Sequence, residues 1–110
     1  MKNDLNIALV DGVCRTIHGS IAVPRYMSFA VPRSDQNEFV LVGQKSLGVD
    51  VNCDALYGDI VVNRYAADGT LCSSVTHKNT DAYSCVQNVT WGPDTVAVTL
   101  GNGKNIFIAS

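Results

Sequence analysis

At 110 residues the chain has the size of one domain, residues 1–110, and its 46% apolar content supports a real core and excludes intrinsic disorder. Its net charge is −2, with five basic residues against four acidic ones over 1–47 and three against six over 48–110. No basic stripe results, which excludes the usual nucleic-acid-binding surface, and no apolar run approaches the roughly 18 residues of a membrane span.

The residue types point to sheet. Fifteen Val, six Ile and seven Thr carry the branched Cβ that suits a pleated strand, while one Glu and four Lys leave helix surfaces without their usual fillers. Nine each of Asn, Asp and Gly supply turn chemistry instead. In chain order, Leu5 to Val10 reads as a strand followed by the turn dipeptide Asp11-Gly12. Val13 to Ile17, Ser20 to Val23 and Tyr26 to Val31 follow, the last two stopped by Pro24 and Pro32, which mark strand ends or sheet edges. After the polar loop Arg33 to Asn37, Glu38 to Val42 is a compact apolar strand, and Gly43 to Ser46 reads as a turn.

Leu47, Val49, Val51 and Cys53 alternate with Gly48, Asp50, Asn52 and Asp54, the pattern of a strand with one buried and one wet face. Asp54 to Tyr57 could hold one short helix. Asp59 to Ala66 and Thr70 to Thr76 flank Ala67-Asp68-Gly69, a hairpin signal. The polar connection His77 to Tyr83 leads to Ser84 to Trp91, then Gly92-Pro93-Asp94, Thr95 to Leu100, and finally Asn105 to Ala109, with Ile106 and Ile108 pointing one way. About nine or ten short strands with no room for a crossover helix predict an all-β, antiparallel β-sandwich or small barrel.

Four cysteines without a C-x-x-C pair argue against zinc and for a disulfide framework, with free buried thiols in a reduced compartment as the alternative. Cys72 and Cys85 enclose a span that a hairpin can close, which leaves Cys14 for Cys53. Two disulfides place the domain outside the cytoplasm, secreted or periplasmic. Leu5 to Val10 is too short and too broken by Asn6 to be a signal core, so an exported chain is expected to start after a cleaved leader.

Chemistry-bearing patterns are sparse. Asp50, Asn52 and Asp54 have the spacing of the first ligands of a calcium loop, but Ala55 stands where that loop needs Gly and Val61 where it needs Glu. A hydrolytic triad can be sketched around His77 with Ser73, Ser74 and Asp81, but no G-x-S-x-G elbow accompanies it. His18 stands by itself before Gly19. Glu38 reads as a strand-end charge rather than half of a glycosidase pair, and Trp91, in phase with Val89, as core. Tyr57, Tyr65 and Tyr83 read as surface aromatics, and Asn88-Val89-Thr90 fits an N-glycosylation sequon.

No cofactor fingerprint is present, so by elimination a binding role leads. The expected function is a small exported protein-binding domain of the inhibitor or toxin-neutralising type. A carbohydrate- or cell-surface-binding module comes second and a small hydrolase third. The expected contact residues are His77, Lys78, Asp81 and Tyr83, on a loop whose mixture of cation, acid and aromatic suits a hydrogen-bonded contact around one anchor.

Overall fold

The computed structural model describes residues 4–10, 17–33, 38–92 and 95–109. Nine strands run through them and no helix: β1 Asp4–Val10, β2 Ile17–Pro24, β3 Met27–Arg33, β4 Glu38–Val49, β5 Ala55–Ala66, β6 Leu71–His77, β7 Val86–Gly92, β8 Thr95–Leu100 and β9 Asn105–Ala109. Every pairing is antiparallel, in sheets ordered β1-β2, β3-β4-β5-β6 and β7-β8-β9. The all-β expectation therefore holds. The sheets keep open edges and do not close into a barrel, which removes that alternative. Asp11-Gly12, most of Val13 to Ile17, the loop after Arg33, and Pro93-Asp94 lie outside the described residues.

The two larger sheets meet over one apolar cluster. Val40 and Val42 of β4 and Ile60 and Val62 of β5 pack with Val89 of β7, Val96 and Val98 of β8 and Ile108 of β9. Val75, Trp91 and Ile106 close its rim, so Trp91 and the Ile106/Ile108 pair fall on the core side as expected. The indole Nε1 of Trp91 also donates to the Pro32 carbonyl at 3.0 Å. A second cluster lies on the opposite face of the four-stranded sheet, where Leu41 and Tyr65 bury Val23 and Met27. Strands buried on both faces are written as unbroken apolar runs, which is what Val40-Leu41-Val42 and Ile60-Val61-Val62 are. Tyr65 belongs to this second core, stacked on Phe39 with ring centroids 5.1 Å apart, and its reading as a surface aromatic is corrected.

Three local readings change. Gly43 to Ser46 is not a turn, because β4 continues through it to Val49 with register shifts between Gln44 and Ser46 and again before Gly48. Gly43 is needed for close approach: a Cβ there would lie 2.7 Å from the Cα of Met27. Ala55 to Tyr57 is strand rather than helix. The alternating stretch after Leu47 has no buried face, since Leu47 and Val49 are each 60% exposed and Val51 is 96% exposed. The reason is topological. β3 leaves β4 at Gly43 and β6 leaves β5 at Ile60, so the rest of the β4–β5 hairpin runs on alone as a two-stranded arm.

The prolines behave as read, Pro24 ending β2 and Pro32 lying on the edge strand β3. Ala67-Asp68-Gly69 turns β5 into β6, with Gly69 at φ 92°, a conformation that costs glycine little.

The Cys72–Cys85 disulfide is overturned, and Cys53, Cys72 and Cys85 are free thiols. Cys72 sits at the Tyr65 end of β5, whereas Cys85 follows Ser84, whose carbonyl is held by Gln44 opposite Ile60. Five residues of β5, from Ile60 to Tyr65, separate the two levels, about 16 Å, against the roughly 4–7 Å between Cα atoms that a disulfide allows. Because Cys53 is free, its pairing with Cys14 is not formed either, and Cys14 itself lies outside the described residues.

Candidate functional site

The tip of the arm is organised by one side chain. Asp50 Oδ1 accepts from the backbone N–H of Asn52 at 2.8 Å and of Asp54 at 3.0 Å. Its own N–H donates to the Asp54 carbonyl at 3.0 Å, and the Cys53 N–H donates to the Asp50 carbonyl at 3.1 Å. This Asx-type turn carries Cys53 into the left-handed region at φ 66° and leaves Val51 at the apex between two carboxylates. The Asp-x-Asn-x-Asp spacing is thus used to close a hairpin. Among the described residues no group of three or more His, Cys, Asp or Glu side chains is placed to hold a metal ion.

The connection from Lys78 to Cys85 is laid against the root of the arm. Tyr57 N–H donates to the Ala82 carbonyl at 2.7 Å. Asn79 N–H donates to Asp59 Oδ1 at 3.0 Å, and the Asn79 side-chain amide donates to the Tyr57 and Ser84 carbonyls at 3.2 and 3.3 Å. Asp81 accepts from Ser84 Oγ at 2.8 Å, Tyr83 N–H at 3.1 Å and Asn102 Nδ2 at 3.2 Å. The Ser84 hydroxyl, with the Tyr83 N–H and Asn102 amide behind it, holds the Asp81 carboxyl below its ordinary pKa. Tyr83 then reaches back to the arm, its hydroxyl donating to Asp50 Oδ2 at 2.8 Å. That bond is the largest cause lowering the Asp50 pKa, and it raises the pKa of Tyr83.

Of the four expected contact residues, Lys78 and Tyr83 are exposed, while His77 and Asp81 are half-buried. His77 ends β6 opposite Ile60, and Asp81 holds the loop together. The triad sketch is not assembled: Ser74 Oγ donates to Asn63 Oδ1 at 2.6 Å, and the Asp81 carboxylate is engaged by Ser84, Tyr83 and Asn102. Glu38 pairs with Arg64 on the neighbouring strand at 3.4 Å.

Two features escaped the sequence reading. Gln44 ties the bulge in β4 to the start of β7, donating to the Gly58 carbonyl at 3.1 Å and accepting from Val86 N–H at 2.9 Å. No local pattern marks such a long-range bond. The arm was the other. Its signal was the alternating stretch continuing into Asp50-Val51-Asn52, where a polar side chain ahead of two backbone donors favours a turn.

Beside the root of the arm lies a shallow groove of about 370 Å³ between Tyr26 and Lys45 on one side and Ser74 and Thr76 on the other. The Lys45 ammonium stands 5.6 Å from the Tyr26 ring centroid and covers part of its face. No helix among the described residues is long and apolar enough to cross a membrane. Comparison with known proteins finds no matching family, no matching curated protein and no matching solved structure.

Proposed function

We propose that the chain is a protein-binding domain whose contact element is the tip of the β4–β5 arm together with Tyr83. The observation that carries this reading is Val51, 96% exposed at the apex of a turn already fixed by four hydrogen bonds around Asp50. A large apolar side chain held out in water on a rigid support loses little entropy when it is buried by a partner. Leu47 and Val49 extend the apolar strip along the arm, and Asp50 and Asp54 flank the apex. The matching partner is a protein with an apolar cleft rimmed by Lys or Arg, the geometry of an inhibitor-type contact.

Under this reading the two larger sheets form a sandwich-like support, which the core cluster shared between them favours. Cys53, Cys72 and Cys85 add no cross-link to this support. Sugar binding calls for aromatic rings gathered on one face. Tyr83 and Phe107, 59% and 69% exposed, stand on different elements and do not favour it.

The test immobilises the wild-type chain and the Val51→Asp variant and compares what each retains from the native extract by quantitative mass spectrometry. A protein retained by the wild type and lost by the variant, with unchanged circular dichroism, supports the reading. Equal retention of every bound protein by both chains overturns it.

A further inference from the structure

The two outer strands of the four-stranded sheet differ in how they meet solvent. β3 carries Pro32, which has no N–H to offer, ends on Arg33, and is covered in part by the Trp91 indole on its Pro32 carbonyl. Among the described residues β6 carries none of these devices. Leu71-Cys72-Ser73-Ser74-Val75-Thr76-His77 contains no Pro, Lys, Arg, Asp or Glu. Its one irregularity is the extra residue Cys72, between Leu71 opposite Tyr65 and Ser73 opposite Arg64. From Ser73 to His77 the register with β5 is unbroken. Ser74 and Thr76 are exposed on the outer face, and Val75 is half-buried at the rim of the shared core.

We propose that β6 is a homodimerisation edge, pairing antiparallel with β6 of a second copy about a two-fold axis at Val75. This pairing sets Val75 opposite the partner's Val75, Ser74 opposite the partner's Thr76 and Ser73 opposite the partner's His77. Two four-stranded sheets become one of eight strands. A second copy is the fitting occupant because a seven-residue edge without charged side chains meets itself without like-charge repulsion, although each chain carries −2 overall. The regular segment is centred on its only β-branched core residue, so the self-pair joins the two apolar rims, and every off-axis contact is made twice by symmetry. Five paired residues make a small interface, so the dimer forms in proportion to concentration rather than as an obligate unit.

The full chain is followed by sedimentation equilibrium from low micromolar to millimolar concentration, with amide exchange in parallel. The expected result is a mean mass rising from 11.8 kDa toward twice that value, with alternate amides of Ser73 to His77 gaining protection as it rises. Thr76→Lys places a cation on the exposed face of each copy beside the two-fold axis and should weaken the dimer about tenfold or more, leaving the monomer fold intact. Phe107→Lys, on the outer face of β9, should leave the dimer unchanged. A constant 11.8 kDa at all concentrations overturns the proposal, as does a dimer that survives Thr76→Lys or is lost with Phe107→Lys.

Discussion

Tyr83 and Asp50 lie 33 positions apart in sequence, yet the phenol donates to the carboxylate at 2.8 Å and joins the loop after β6 to the tip of the β4–β5 arm. Neither residue has a buried side chain, so the bond sets the position of the arm more than the stability of the fold.

Replacing Tyr83 by Phe keeps the ring and deletes the donor. Exchange of the Asn52 and Asp54 amides should quicken severalfold, while unfolding by denaturant is nearly unchanged. An unchanged exchange pattern at the tip would show that Asp50 holds the turn without help.

The same bond has two pH limits. The Asp50 carboxyl lies below its ordinary 3.8 in the folded chain, chiefly through the Tyr83 hydroxyl and then the Asp54 N–H. An unfolded carboxyl therefore takes up its proton first, and the stabilisation is complete above 3.8 and lost as pH falls through the lower folded value. Tyr83 is raised above 10.0 by the same partner, so its contribution is complete below 10.0 and lost as pH rises through the higher folded value. Carboxyl and aromatic NMR titrations should move Asp50 back toward 3.8 in Tyr83→Phe. An Asp50 titration unaltered by that change would contradict the linkage.

Two glycines separate packing from tolerance. Gly43→Ala places a methyl against the backbone of Tyr26 and Met27, which cannot swing aside, and should cost about 1–3 kcal/mol in denaturant unfolding. Gly101→Ala meets its nearest neighbour, Gln87 Nε2, at 3.5 Å, an ordinary contact, and should unfold like the wild type. Equal midpoints for the two variants would contradict the close approach of β4 to the β2–β3 turn.

Alkylation under native, non-reducing conditions should label Cys53 and Cys72 quickly and the half-buried Cys85 more slowly. Recovery of a Cys72–Cys85 linked peptide would require the Ile60 and Tyr65 levels of β5 to be much closer than the register sets them.

Most strands could be read directly because Gly, Pro and Asp interrupt the Val- and Ile-rich runs where the chain turns, as at Ala67-Asp68-Gly69 and Gly101 to Lys104. Three misreadings share one physical origin. Alternation of apolar and polar residues reports the geometry of a strand and says nothing about whether another strand lies alongside. Leu47 to Val51 therefore looked half-buried, although β3 and β6 had already turned away. Tyr65 looked like a surface residue near a turn because the second core, on the far face of the sheet, is built from Val23, Met27 and Leu41, distant in sequence. Cys72 and Cys85 looked close because loop length was counted without the strand register that separates them. Within the candidate site, Tyr83 was visible as an exposed aromatic on a polar connection, whereas its partner Asp50 was hidden by a spacing that also suits calcium.

Asn63 carries a consequence for how the central sheet finds its alignment. It is 7% exposed, donates to the Tyr65 hydroxyl at 3.2 Å and accepts from Ser74 Oγ at 2.6 Å. β4 and β5 meet through Val40-Leu41-Val42 and Ile60-Val61-Val62, and runs that are apolar on both faces would pair almost as well one step out of phase. Asn63 makes the phases unequal. A slip of β5 by one residue would turn Asn63 away from Ser74 toward the shared apolar cluster and bring Arg64 into its place. A polar group that contributes little to cohesion thus acts as a proofreader, disfavouring misaligned sheets because they leave the Asn63 carbonyl without its Ser74 donor.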